Sequence, residues 1–305
     1  MENVCNICPR KCNVNRETTL GFCRMPNDIL IAKVMIHHFE EPIISGECDD
    51  TRGSGAIFFA GCSLGCIYCQ NSNISGGGAK SFVTNGFKKV TPKELADIFK
   101  KLEDKGAYNI NLVTPTHYTM QIIQALKIYK PKVPVVWNTS GYELPETIKL
   151  LDGLVDIYLT DFKYFEPANA KRFSFAENYP KICKTSLLEM KKQQPKDVIE
   201  NGLMKKGIIV RHLVLPKLLN DSLKVIDFVH DNLGEDTIFS LMSQYVPMVK
   251  AQDDPQLCRR ITPLEYKILC RKLEKLEFKN AFVQEFESAK SSFTPDFEIN
   301  DEFFV

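Results

Sequence analysis

The chain reads as α/β: an open, partial (β/α)6 relative of the (β/α)8 barrel with a small cysteine-rich amino-terminal extension. Three observations lead there. From Gly53 onward, short apolar runs alternate with amphipathic helical stretches, an order that gives parallel strands with helices packed outside. Counted from the run at Ala56, there are six such strand–helix units. Before Gly53, helical periodicity is weak and cysteines accumulate. Residues 1–53 are therefore expected to form a metal-binding segment, and residues 54–305 the partial barrel with a carboxyl-terminal tail.

The elements follow in order. Ala56-Ile57-Phe58-Phe59-Ala60 is the first strand. Thr91-Pro92-Lys93-Glu94 is a capping box with proline at the first helical position. Leu95, Ile98, Phe99 and Leu102 share one face of the helix it opens, and Gly106 stops it. Residues 110–113 form the second strand. A helix carrying Ile122, Ile123, Leu126 and Tyr129 runs to Pro131. Strands are expected at 133–137 and 154–159, with a short helix over 145–151 between them, and 168–192 reads as helical. The fifth strand spans 208–215. Leu223, Val225, Ile226 and Val229 belong to a helix ending near Gly234, and 237–242 is the sixth strand. Thr262-Pro263-Leu264-Glu265 is a second capping box, opening a helix through Leu276.

Bulk composition excludes several classes. With 44 % hydrophobic residues in 305, the chain can bury a sizeable core. A net charge of +1 leaves no basic surplus for nucleic acid or an anionic membrane. No apolar run approaches bilayer length, and Met1-Glu2-Asn3-Val4-Cys5 is not a secretion signal. The 11 cysteines are thus expected to serve as metal ligands rather than disulfides, in an oxygen-sensitive cytoplasmic protein.

Cys62, Cys66 and Cys69 are spaced C-x3-C-x2-C directly after the first strand, at the end of the barrel where sites sit. Three thiols can hold three corners of a cubane iron–sulfur cluster and leave its fourth iron without a protein ligand. An open metal position serves chemistry, whereas a closed one serves structure, and a zinc site would need a fourth ligand here.

This spacing, with Tyr68 just before the third cysteine and Asn71 soon after, resembles that of the radical S-adenosylmethionine (SAM) superfamily. The resemblance implies a 4Fe–4S cluster on the three cysteines and SAM on the open iron, near Tyr68 and Asn71. One-electron reduction would then cleave SAM and release a 5′-deoxyadenosyl radical that abstracts hydrogen from a substrate. It also implies an electron donor such as a ferredoxin or flavodoxin.

From the first cysteine through Pro247 the chain resembles the branch of pyruvate formate-lyase activating enzyme-like proteins. Cys5-Asn6-Ile7-Cys8-Pro9-Arg10-Lys11-Cys12 with Gly21-Phe22-Cys23 looks like that branch's amino-terminal region. Asn111-Leu112-Val113-Thr114-Pro115-Thr116-His117-Tyr118 sits where activating enzymes carry Gly-Gly-Glu; both glycines and the glutamate are absent, which leaves Thr114 as the neighbour of SAM. Asn138-Thr139-Ser140-Gly141 resembles their Asp-Thr-Asn-Gly, and Asp161-Phe162-Lys163 matches Asp-x-Lys. By that resemblance Asn138, Thr139, Asp161 and Lys163 contact the cofactor. Either Arg211 or His212 on the fifth strand should join them, since neighbours in a strand point oppositely. The implied substrate is a glycine of a partner protein. A small molecule or another protein modification stays open, as does a non-catalytic electron-transfer or interaction protein.

Cys5, Cys8, Cys12 and Cys23 form a second group, C-x2-C-x3-C-x10-C. Four thiols give a closed site for zinc or a complete ligand set for a cluster, and both stay open. Arg10, Lys11 and Arg24 would offset the thiolate charge. His117 is expected to cap the following helix or face solvent, and His37-His38 to be structural. Cys48, Cys183, Cys258 and Cys270 read as ordinary thiols. Gly76-Gly77-Gly78-Ala79-Lys80-Ser81 fails the phosphate-loop pattern and reads as a mobile loop. Residues 242–245 and the aromatic tail 293–304 are candidates to border the substrate opening, the tail being expected rather to pack on the barrel.

Overall fold

The computed structural model describes residues 4–47, 51–76 and 86–286. Its first strand, β1 (Ile29–His37), lies inside the amino-terminal segment and leads to a short helix, α1 (Pro42–Ser45). β1 runs antiparallel to β2 (Ser54–Phe59), with Ile31 opposite Phe59 and His37 opposite Ser54. The boundary expected at residue 53 therefore falls within a strand pair. The β-branched and apolar run 29–36 carries a strand signal that a search for helical periodicity passes over.

Next come α2 (Ser72–Ser75), β3 (Lys88–Val90) and α3 (Pro92–Asp104). The capping box of α3 is formed: Glu94 N–H donates to Thr91 Oγ1 at 3.2 Å, and Thr91 N–H donates to Glu94 Oε2 at 2.7 Å. β4 (Ile110–Val113) leads through a 3-10 turn, Thr116–Tyr118, into α4 (Thr119–Ile128). β5 (Val135–Thr139), α5 (Pro145–Lys149) and β6 (Ile157–Asp161) follow. Both strands run beyond the bounds read from sequence. Asn138, Thr139 and Asp161 are polar, so hydropathy does not mark them, yet they continue the parallel ladder: Asn138 pairs with Leu159, and Asp161 with Arg211.

The stretch expected as one helix is two, α6 (Pro167–Ser174) and α7 (Tyr179–Gln193). Phe175 ends α6 in the left-handed region, and Pro180 belongs in the first turn of a new helix. The turn Asn201-Gly202 joins β7 (Val198–Glu200) to β8 (Leu203–Leu213). The chain then forms α8 (Leu219–Leu233), β9 (Ile238–Met242), α9 (Pro263–Lys275) and β10 (Ala281–Val283). α9 opens on the second expected capping box.

The sheet order is β10-β9-β8-β6-β5-β4-β2-β1-β3, with β7 paired to β8. β2, β4, β5, β6, β8, β9 and β10 are mutually parallel; β1 and β3 run against them. The path does not return on itself, so the barrel is unclosed. The six parallel strands expected are present, and β10 adds a seventh among the described residues.

Strand alternation divides the apolar side chains. Phe59, Leu112, Trp137, Tyr158, Val210 and Phe239 pack outward against the helices. Val136, Ile157, Leu159, Ile209 and Ile238 point inward and enclose Ile43 and Ile44 from α1. Asn109 Nδ2 donates to Ile44 O at 2.7 Å and pins this plug beneath the barrel. Since Ile157 and Ile238 begin their strands, the plug fills the amino end and leaves the carboxyl end open.

Gly141, just past β5, has φ +75°, and a Cβ there would stand 2.2 Å from Asp161 O and 2.9 Å from Cys183 Sγ. Gly141→Ala should cost about 1–2 kcal/mol from the backbone conformation alone, and more from the overlap. A clear fall in the thermal midpoint is expected; a midpoint equal to wild type would refute this account of the turn.

Candidate active site

The loop after β2 brings the three cysteines to the open end of the barrel. Gly61 starts the turn, donating its N–H to Ile74 O at 2.8 Å. Ile67 fastens the middle: its N–H donates to Phe173 O at 2.9 Å, and its carbonyl accepts from Ala251 N–H at 3.2 Å. Each sulfur has a polar neighbour. Leu64 N–H donates to Cys62 Sγ at 3.3 Å, and the Ser174 hydroxyl donates to Cys66 Sγ at 2.9 Å. Ser75 Oγ lies 3.2 Å from Cys69 Sγ.

Burial raises the Cys62 and Cys69 thiols above their ordinary range, with neighbouring sulfurs adding to the shift and Lys163 opposing it. Buried thiols so placed stay protonated unless a cation compensates them. Among the described residues, no three His, Cys, Asp or Glu side chains converge on a single ion. Three soft thiols on one loop suit the wider corners of an iron–sulfur cluster better than one zinc, which needs every sulfur within about 2.3 Å.

The cysteines open on a cavity of about 440 Å³, large enough for a small organic ligand. It is also lined by Tyr68, Asn71, Thr114, Asn138, Thr139, Asp161, Lys163 and Arg211. The fold thus gathers every residue expected at the cofactor except His212. Asn71 Oδ1 is buried without a hydrogen-bond partner, so this wall holds an acceptor ready for a ligand donor. Thr114 holds φ +57° at the end of β4, an uncommon conformation for a β-branched residue. A larger cavity, about 570 Å³, lies beside the amino-terminal segment; Cys5 is the one thiol in its lining.

A charge network forms one wall of the cysteine-lined cavity. Lys163 Nζ lies 2.6 Å from Asp161 Oδ2, and Arg211 Nε lies 2.9 Å from Asp161 Oδ1. Arg211 Nη1 also pairs with Glu40 Oε2 at 3.0 Å, and its Nη2 donates to Asn138 Oδ1 at 2.7 Å. Glu40 Oε1 accepts from Asn138 Nδ2 at 3.0 Å and Asn111 Nδ2 at 3.1 Å. Burial alone would raise Asp161, but Lys163 and Arg211 outweigh it and hold the carboxyl below its ordinary range. Burial raises the neighbouring Glu41 against the pull of Arg211, which stands 4.0 Å away.

Of the two candidates on β8, Arg211 faces inward and His212 outward. His212 donates from Nδ1 to Phe162 O at 2.6 Å and accepts at Nε2 from the Ser222 hydroxyl at 2.9 Å. It is a satisfied core histidine, not a cofactor contact; its position one residue from Arg211 puts it on the other face. His117 likewise departs from expectation. It is 2 % exposed, and its Nε2 lies 2.7 Å from Ala60 O. Burial, helped by Arg16, lowers it to about 3, so it is neutral. Cys48, the glycine-rich stretch beyond Gly76 and the tail 293–304 lie outside the described residues.

Glu40, Glu41, Ser174 and Glu143 were not legible as site residues, since none sits in a spaced motif. Glu143 lies in the connection between β5 and α5 and is buried. Its Oε1 accepts from Thr116 Oγ1 and Thr139 Oγ1, each at 2.6 Å, and from Trp137 Nε1 at 3.3 Å. Its Oε2 is buried without a partner.

Two predictions follow from these buried charges. Arg211→Met strips Glu40 and half of Asp161 of their counterion and should destabilise the chain by about 3–5 kcal/mol; denaturant unfolding with an unchanged midpoint would refute the network's importance. Burial raises Glu143 from 4.5 to about 7 despite its three donors. The folded state therefore binds this proton more tightly than the unfolded state. Its contribution is complete below about pH 4.5 and is lost as pH rises through 7, on the order of 3 kcal/mol in all. Glu143→Gln should flatten the pH dependence of the thermal midpoint between pH 5 and 8; an unaltered slope would contradict the assignment.

A family model described as the radical SAM superfamily matches residues 56–229, more than half of the chain. A protein of Methanocaldococcus jannaschii described as uncharacterized is 34 % identical over 261 residues, covering 85 % of this chain and 70 % of its own length. Among solved structures, SuiB of Streptococcus suis bound to its precursor peptide SuiA aligns with a TM-score of 0.48 at 11 % identity, over 74 % of this chain and 47 % of that one. SuiB bound to SAM aligns with a TM-score of 0.46 at 10 % identity, over 74 % and 45 %. The chain thus spans about half the length of the SuiB chains.

Proposed function

The chain belongs to the radical SAM superfamily, whose members work with a 4Fe–4S cluster and SAM, and from that premise we propose that it cleaves SAM reductively and takes a hydrogen atom from a glycine of a partner protein. One observation carries the reading of the site. Cys62, Cys66 and Cys69 share a single cavity with Asn71, Asn138, Asp161 and Lys163, at the carboxyl ends of parallel strands.

The three thiolates would hold three irons and leave one for the ligand. Asp161 would meet an ammonium or ribose hydroxyls, and Lys163 a carboxylate, each already oriented by the other. The free Asn71 Oδ1 would accept a donor from the ligand, while Tyr68, Thr114, Thr139 and Arg211 complete the walls. The chemistry supplied by the bound group is one-electron cleavage of SAM followed by hydrogen-atom abstraction. The reductant would be a low-potential protein of ferredoxin or flavodoxin type, in the cytoplasm, where thiols and clusters are kept reduced.

The glycine substrate is supported by Asp161-Phe162-Lys163 and Asn138-Thr139-Ser140-Gly141, which resemble the activating-enzyme branch. Two departures point away from pyruvate formate-lyase itself as the partner: the missing Gly-Gly-Glu stretch and the four-cysteine segment. No helix among the described residues is long and apolar enough to cross a membrane.

Anaerobically reconstituted protein should form 5′-deoxyadenosine and methionine from SAM when reduced, and Cys66→Ala should abolish both. Equal yields from the two proteins would remove the basis for the assignment. Mixing with candidate partners should then yield a glycyl radical by electron paramagnetic resonance; SAM cleavage without any partner-borne radical would rule out the glycine substrate.

A further inference from the structure

Cys5, Cys8, Cys12 and Cys23 are brought together by a tightly turned backbone. Cys5 N–H donates to Val14 O at 2.8 Å, Asn13 N–H to Cys5 O at 3.1 Å, and Lys11 N–H to Cys8 O at 3.0 Å. Lys11, Asn13 and Arg24 take φ values of 43°, 55° and 60°, each beside a cysteine. Phe22 N–H donates to Cys12 Sγ at 3.3 Å, and Gly21 leaves the space that this sulfur needs: a Cβ would stand 3.0 Å from it. Cys12 Sγ thus lies against the Gly21–Cys23 turn that carries the fourth thiol.

This group abuts the other. Gly61, next to Cys62, has φ +83°, and a Cβ there would lie 2.3 Å from Met25 Cγ and 2.9 Å from Cys23 O. Arg10, two residues from Cys8 and Cys12, donates from Nε to Ser63 O at 2.7 Å. Its Nη2 donates to Ser174 O at 3.2 Å, and its Nη1 to Phe175 O. Ser174 is the residue whose hydroxyl meets Cys66 Sγ. Cys8 and Cys23 are buried, while Cys5 and Cys12 are partly exposed.

We propose that Cys5, Cys8, Cys12 and Cys23 hold a second iron–sulfur cluster, closed by four protein thiolates, which hands single electrons to the centre at Cys62, Cys66 and Cys69. The cluster itself stands on the amino-terminal segment alone; its role as a relay rests on the function proposed above. Zinc is the competing occupant, since four thiolates also close a tetrahedral zinc site. A cluster, unlike zinc, changes oxidation state, and the contacts of Arg10 and Gly61 between this segment and the Cys62 loop give that property a use. The step moves one electron and nothing else. A low-potential one-electron reductant is oxidised as the outer cluster is reduced, and the outer cluster is reoxidised as the Cys62 centre is reduced. No bond forms and no proton transfers.

The full chain carrying Cys62→Ala, Cys66→Ala and Cys69→Ala together, reconstituted anaerobically, tests the cluster. It should keep about four irons and four sulfides and show a reduced-cubane resonance with dithionite. One zinc per chain, or a folded chain without metal, overturns the proposal. The relay is tested by stopped-flow reduction of the Cys62 centre with reduced flavodoxin. Cys12→Ser should slow it at least tenfold, and should slow reduction by dithionite less. Arg10→Gln, which keeps all seven thiols, should also slow the flavodoxin reaction while retaining about eight irons, so a misfolded Cys12→Ser does not decide the matter. A wild-type rate in an iron-replete Arg10→Gln overturns the relay. If wild type fails to cleave SAM while the triple variant keeps its irons, the second cluster stands and the function proposed for the first falls.

Discussion

A buried guanidinium organises this molecule. Arg211 sits where β8 reaches the cavity, and its charge is tolerable there only because carboxylates and a side-chain amide surround it. Those partners come from β6, from β5 and from the segment just before α1, so one side chain fixes two strands and the plug against each other. Burial would lower Arg211, yet Asp161, Glu41 and Glu40 together raise it far beyond any working pH. The network is therefore a permanent fixture rather than a switch. It also explains why Asp161 and Lys163 are already ordered, since the aspartate is held from both sides.

The cysteine loop depends on that frame from the other direction. Its sulfurs receive hydrogen bonds from Leu64 and Ser174, and such bonds draw charge from thiolates and tune a cluster's potential. Ser174 gains its place from the end of α6, whose Phe173 and Ser174 carbonyls accept from the loop's own amides at 2.9 and 3.4 Å. Tyr164 continues the chain, contacting Ser174 Oγ at 2.8 Å and Tyr68 OH at 2.6 Å. Loop, helix end and aromatic pair thus form one hydrogen-bonded unit around Cys66.

Much of this was legible from residues alone. Both capping boxes form, because each is local chemistry satisfied within four residues. The three-cysteine spacing and the strand-end positions of Asn138 and Asp161 also pointed to one mouth of the barrel. What escaped was of two kinds. Glu40 and Glu41 belong to the site through a segment that folds back under the sheet, and no spacing encodes that excursion. The choice between Arg211 and His212 turned on strand phase, which a β8 of 11 residues, buried on both faces over much of its length, does not display as clean alternation. His117 was misplaced for a related reason: a polar residue in a 3-10 turn carries no mark of the Ala60 carbonyl that buries it.

The plug has a consequence for how the molecule comes into being. Ile43 and Ile44 leave the ribosome early, but the walls they occupy include Ile209 and Ile238, made long afterwards. Contacts so distant in sequence close late, after their loop entropy has been overcome. The reaction chamber therefore lacks a bottom until nearly all of the barrel exists. Residues made well before the walls around them would thus be among the last to settle.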